Sequence, residues 1–162
     1  MSSLAINLRR AIASDVGIVK IIHQEAISEI CSRDYAAEVI RAWLAGNDDA
    51  RYLDAIRDQS FWIVEEAGGA IGFGGLRLPA ACLESLFIRP AALGRRIGRQ
   101  LLNHMEAVAM AAGVRRLHLK SSLTAQPFYG RNGYQVVSGD GSIRLASGVL
   151  LQGIPMAKIL AY

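Results

Sequence analysis

Residues 82–112 read CLESLFIRPAALGRRIGRQLLNHMEAVAMAA. An apolar run of strand type ends at Pro90. A turn follows with Gly94, Arg95, Arg96 and Gly98, and a long periodic helix begins at once. Pro90 cannot sit inside a paired central strand, so the strand must end or splay there. The first turn of the helix, about Arg96 to Gln100, carries N–H groups with no intrahelical acceptor. Free amides at a helix mouth beside a strand end suit a phosphorylated ligand, and the helix dipole adds about 0.3–2 kcal/mol per favourable contact. Gly94 can take φ > 0, and Gly98 removes a side chain where a ligand would press close. A strand–turn–helix connection with glycines needed for geometry alone is the competing reading. No Gly-Lys-Ser/Thr is present, so the run is not a Walker loop. It also lacks the three-glycine spacing of a dinucleotide fingerprint.

Moving outward, Val114–Lys120 is strand-like, and the helix between it and the Cys82 strand predicts a right-handed parallel crossover. Upstream, three strands are expected at Phe61–Glu65, Ala70–Arg77 and Ala81–Ile88. Their short connections favour antiparallel pairing. The N-terminal part predicts a strand at Ala5–Arg9, a helix opened by Ser14 and Asp15, a second from about Asp34 to Leu44, and a short third over Asp49–Arg57. The tail predicts a short helix at Ala125–Asn132, a strand at Tyr134–Val137, a glycine turn, and a last strand at Ile154–Ile159. A splayed end on the Cys82 strand leaves backbone groups free to pair with an extended amide-bearing ligand as if with another strand.

The 162 residues suit one domain, 1–162, with a real core. A hydrophobic content of 52% with 20% charged residues is that of a globular protein. No apolar run is long enough to span a membrane. MSSLAINLRR lacks the shape of a signal peptide, so a cytoplasmic location is expected. Cys31 and Cys82 fit a reducing compartment. The net charge of +4 is too small, and the arginines too scattered outside Arg95, Arg96 and Arg99, for a nucleic-acid track. No His/Cys/Asp/Glu cluster has metal spacing, so no metal is expected.

These segments together resemble the GCN5-related N-acetyltransferase (GNAT) superfamily. Its strand–Pro–loop–helix block is matched by Leu93-Gly94-Arg95-Arg96-Ile97-Gly98, with Leu93 where glutamine or arginine is usual and Arg96 where glycine is usual. Its second block is matched by Ser122, Ala125, Phe128, Tyr129, Gly133 and Tyr134, with Ser122 replacing asparagine. The resemblance implies an α/β acyl-CoA N-acyltransferase fold. That fold is a mostly antiparallel mixed sheet of six to seven strands, with a splayed parallel pair at its centre and about four helices.

Acetyl-CoA is then the implied co-substrate. It would be held by Leu86, Phe87 and Ile88 on the strand, by Gly94, Arg95, Arg96, Ile97, Gly98 and Arg99 at the helix mouth, and by Ser122, Ala125 and Phe128. The implied acceptor is a small-molecule or peptide amine, and a homodimer fits family habit. Tyr129 stands where the family keeps its general acid, and a half-buried packing tyrosine is the competing reading. Glu84 lies in the ligand strand among apolar residues, where a carboxylate is costly unless paired, hydrated or functional. A water-mediated base and an ion pair with Arg77 are both open readings. Tyr35, Trp43 and Glu25 are candidates for the acceptor pocket, although Trp43 at helical spacing also fits a core. A non-catalytic acyl-CoA-binding or sensing module of the same fold is the alternative function.

Overall fold

The computed structural model describes residues 5–161. A meander of β1 (Ile6–Arg10), β2 (Ser60–Glu66), β3 (Gly69–Arg77) and β4 (Cys82–Ile88) makes half of a seven-stranded sheet. The other half is β5 (Arg116–Ser122), β6 (Gln135–Val136) and β9 (Gly153–Ile159), and the order across the sheet is β1-β2-β3-β4-β5-β9-β6. All neighbours are antiparallel except β4 and β5, which lie parallel at the centre. A separate hairpin joins β7 (Ile143–Arg144) to β8 (Leu150–Leu151). Among the described residues, five α-helices complete the fold: α1 (Val16–Glu29), α2 (Ala37–Ala45), α3 (Asp49–Asp58), α4 (Ile97–Ala111) and α5 (Gln126–Arg131).

Strand alternation sends side chains to two separate cores. Trp62, Val64, Leu76 and Leu83 pack under α4, against Leu101, Leu102 and Met105. Phe61, Ile63 and Phe73 face α1 and α3, against Val19, Ile22, Tyr52 and Ile56. A third cluster seats the β7–β8 hairpin on α1 and α2 through Ile27, Ile40, Trp43, Leu145 and Leu151, and Phe87 joins it to the second. α4 buries a stripe through Ile97, Leu101, Met105 and Ala109 at the spacing expected of an amphipathic helix.

Several local expectations shift. The stretch from Asp34 does not start a helix: Cys31–Arg33 is a 3-10 turn, and α2 begins at Ala37. Tyr35 is thereby freed to bridge other segments. Asp15 does not cap α1. Its carboxylate accepts from the Ile12 N–H at 2.8 Å and from both terminal nitrogens of Arg9 at 2.8 Å, which ties the β1 exit to the helix start. His118 is exposed with Arg116 and Lys120, because the helices on that face do not cover β5. Cys31 and Cys82 are free thiols.

Candidate acyl-CoA and acceptor site

β4 and β5 share one registered pair, Cys82 with His118, supported by the His118 N–H donating to Ala81 O at 3.1 Å. From Leu83 to Ile88, β4 remains paired with β3 but has no registered partner on its β5 side. Ser85, Leu86 and Phe87 are therefore only half-buried although they lie on a central strand. The opened edge offers backbone N–H and C=O groups that buried strands ordinarily satisfy within the sheet. Opposite the Gly75/Leu76 step, β4 carries one extra residue, and that residue is Glu84. Such a bulge bends the strand and re-aims its side chains.

The open edge leads through a 3-10 turn at Pro90–Ala92 to the mouth of α4. Arg96 is the N-cap residue, at φ 62° and ψ 17°, and no side chain caps the helix. The Gln100 N–H donates to Arg96 O at 3.1 Å, so the first-turn amides left for a ligand are those of Ile97, Gly98 and Arg99, not Gln100. Gly94 takes φ 78° in the turn. A Cβ on Gly98 would lie 3.4 Å from two ring carbons of Phe128, so the mouth is walled by that ring and by Ile88. Arg95 does not point free into the mouth. Its guanidinium closes on the Glu66 carboxylate from the end of β2, with Nη1 donating to Oε1 at 3.0 Å. That pairing holds the Glu66 carboxyl below its usual range.

On the β5 side of the opening, the Ala125 N–H donates to Ser122 Oγ at 3.1 Å, and this shapes the turn into α5. Ala125 and Phe128 pack on the α4-side core. Tyr129 is buried on α5, its ring 5.2 Å from Phe128 and 5.6 Å from Tyr134 between centroids. Its hydroxyl has no hydrogen-bond partner among the described residues. Burial raises the phenol well above its ordinary value, so it stays protonated and able to donate. Glu84 is 38% exposed and accepts from Arg77 Nε at 3.2 Å. The ion pair is formed, and at this exposure it leaves the carboxylate open to water.

The Acetyltransferase (GNAT) domain model matches residues 57–136, which contain both β4–α4 and Tyr129. A crystal structure from Rhodopseudomonas palustris, a GCN5-related N-acetyltransferase also called aminotransferase class-II, superposes with a TM-score of 0.89 at 27% identity, over 99% of this chain and 98% of that one. The chain belongs to the GCN5-related N-acetyltransferase superfamily. PaiA from Thermoplasma acidophilum, solved with coenzyme A, shares the GNAT fold at 21% identity and TM-score 0.81, over 96% of this chain and 99% of that one. YncA from Salmonella typhimurium, solved with acetyl-CoA, shares it at 18% identity and TM-score 0.70, over 98% and 95%. No curated protein matches the chain by sequence. The mixed seven-stranded sheet with its central parallel pair is the GNAT arrangement.

Across β4 from the α4 mouth, the GNAT sheet presents its α1–α3 face. His23 Nδ1 lies 2.7 Å from Tyr52 Oη. The imidazole is 4.5 Å from the Phe87 ring, edge-on, with Trp43, Tyr52 and Phe73 between 5.7 and 6.1 Å. Burial, with a smaller push from the Arg51 charge, lowers His23 to about 4. Of the residues expected to line an acceptor pocket, Trp43 is buried in the core. Glu25 is held by Arg89 at the end of β4 through two bonds, 2.6 and 3.0 Å. Tyr35 clamps two loops: its hydroxyl donates to Gln152 O at 2.6 Å and accepts from the Leu123 N–H at 2.9 Å.

Two buried polar atoms on this face, Gln59 Oε1 and Ser85 Oγ, have no partner among the described residues. Both crowd the position a side chain on Gly75 would take. Sequence reasoning missed the His23–Phe87 contact, Gln59 and Ser85, since only the register of β3 on β4 and the seat of α1 bring them together. Among the described residues, no group of three or more His, Cys, Asp and Glu could hold a metal ion, and no helix is long and apolar enough to cross a membrane.

Proposed function

We propose that the protein transfers the acetyl group of acetyl-CoA to a primary amine by direct attack in a ternary complex. The observation that carries this reading is the uncapped mouth of α4 beside the open edge of β4. The buried, protonated Tyr129 phenol on α5 supports it. GNAT relatives solved with coenzyme A and acetyl-CoA support the same ligand here. The Ile97, Gly98 and Arg99 amides would receive the pyrophosphate, helped by the helix dipole. Backbone groups of Leu86, Phe87 and Ile88 would pair with the amides of the pantetheine arm.

In the reaction, the amine nitrogen attacks the thioester carbonyl carbon. The new C–N bond forms, the C–S bond breaks, and the departing sulfur takes the Tyr129 proton. The proton lost by the amine passes through water to Glu84, whose exposed pair with Arg77 leaves one carboxylate edge available. An amine with a pKa of about 10.4 is mostly protonated at pH 7, so removing that proton is where a base is of use.

Calorimetric titration with coenzyme A, beside an assay of thiol release over an amine panel, tests the reading. Binding with release supports it. Gly98→Glu places a carboxylate at the phosphate seat while adding a favourable acid to the first helical turn. It should abolish binding and leave the fold intact. Retained affinity in Gly98→Glu would put the phosphates elsewhere. Binding without release for any amine would favour the acyl-CoA-sensing module.

A further inference from the structure

Three described carboxylates, on α1, β4 and α3, are already engaged: Glu25 with Arg89, Glu84 with Arg77, and Asp49 with Lys20. Glu29, Asp34 and Glu38 are solvent-exposed at the end of α1, the turn after it and the start of α2. What remains beside the open strand is aromatic. Phe87 and His23 are half-buried and in ring contact, and buried Trp43, Tyr52 and Phe73 pack behind them. His23 is uncharged at pH 7, and the field of Arg51 opposes a further positive charge beside it. Ion pairing weakens Glu25, Glu84 and Asp49 as seats for a polycation, whereas a flat apolar body would gain edge-to-face contacts with two rings.

We propose that the acceptor is a monoamine carrying an aromatic or similarly flat apolar body, seated against Phe87 and His23. The inference rests on the N-acetyltransferase reading above. Phe87 is on the strand whose free edge meets the thioester arm, so a body packed on its ring would bring a short aminoalkyl chain toward the reacting carbonyl. A body of this kind, buried on two rings, is worth about tenfold or more in kcat/KM over a chain of similar length without one.

The test uses the full chain with acetyl-CoA and three amines: 2-phenylethylamine, butylamine and spermidine. Expected is a kcat/KM for 2-phenylethylamine about tenfold or more above the other two. His23→Ala should lower that value by about tenfold, mainly through KM for the amine, with KM for acetyl-CoA unchanged. His23→Phe, which keeps a ring in the wall, should restore most of it. Spermidine or butylamine matching 2-phenylethylamine in the unmodified protein would overturn the substrate class, whatever the variants do. So would His23→Ala with undiminished use of 2-phenylethylamine. Acetyl-CoA turned over with other amines alone would overturn the substrate class and leave the acetyltransferase reading standing. Failure to bind acetyl-CoA, or binding with no amine turned over, would end both.

Discussion

Cys82 and His118 form the single parallel rung between the two halves of the sheet, and beyond it β4 and β5 part. One rung is enough to keep the halves in one sheet, because α4 connects them and packs beneath both through Leu83, Leu101 and Leu117. The parting leaves the Leu83–Ile88 edge of β4 without a strand partner on its β5 side. Tyr129 lies on α5, which follows β5 and packs against it.

Tyr129→Phe removes a hydroxyl that bonds to no described residue, so the fold should keep its stability. Turnover should fall by about 10²-fold if the phenol protonates the departing thiolate, with coenzyme A affinity nearly unchanged. Steady-state rates beside calorimetric titration check this. Full turnover in the variant would remove Tyr129 from the chemistry.

Glu84→Gln breaks an exposed ion pair, so thermal stability should shift by no more than about 0.5 kcal/mol. The rate should fall most at low pH, where the amine is protonated and needs a base, and recover as pH approaches the amine pKa. A pH–rate profile of both proteins decides it. An equal loss at every pH would assign Glu84 to the Arg77 pair alone.

Arg96→Gly tests the backbone at the α4 mouth. Arg96 sits at φ 62°, a region costing a side-chain-bearing residue about 1–2 kcal/mol, while glycine brings an entropic penalty of about 0.5–1 kcal/mol. The balance predicts a stabilisation of up to about 1.5 kcal/mol, read as a rise in Tm, with coenzyme A binding retained. A fall in Tm would mean that Arg96 makes contacts that outweigh the strain.

His23 gives the protein a pH dependence. Its folded pKa of about 4 lies below the ordinary 6.5. The unfolded chain therefore takes up this proton first as pH falls. The stability linked to His23 is complete above about pH 6.5 and is lost progressively toward pH 4. At pH 5 the loss should be roughly 1–2 kcal/mol. Denaturant unfolding at pH 7 and pH 5 should show it, and His23→Phe should show a smaller loss over the same interval. Equal losses in both proteins would place the acid sensitivity in other groups.

What the chain alone determined is what local chemistry encodes. The order of elements follows from periodicity and from the glycines and prolines that end each segment. The strand–Pro–turn–helix mouth at Pro90–Gly98 and the Phe128–Tyr129 block follow from short-range signals, and their order along the chain carried the family resemblance. Boundaries moved by one to three residues where tertiary packing overrode propensity, as at Asp34, whose segment is drawn away from the helix so that Tyr35 can clamp two distant loops.

Only the folded sheet decided the rest. The divergence after a single rung is a matter of register between strands separated by a whole helix. The bulge that turns Glu84 toward Arg77, the capture of Arg95 by Glu66, and the ring contact of His23 with Phe87 all join residues far apart in sequence. Such contacts depend on how sheet twist and helix seating position the side chains, and no local pattern of residues records that geometry.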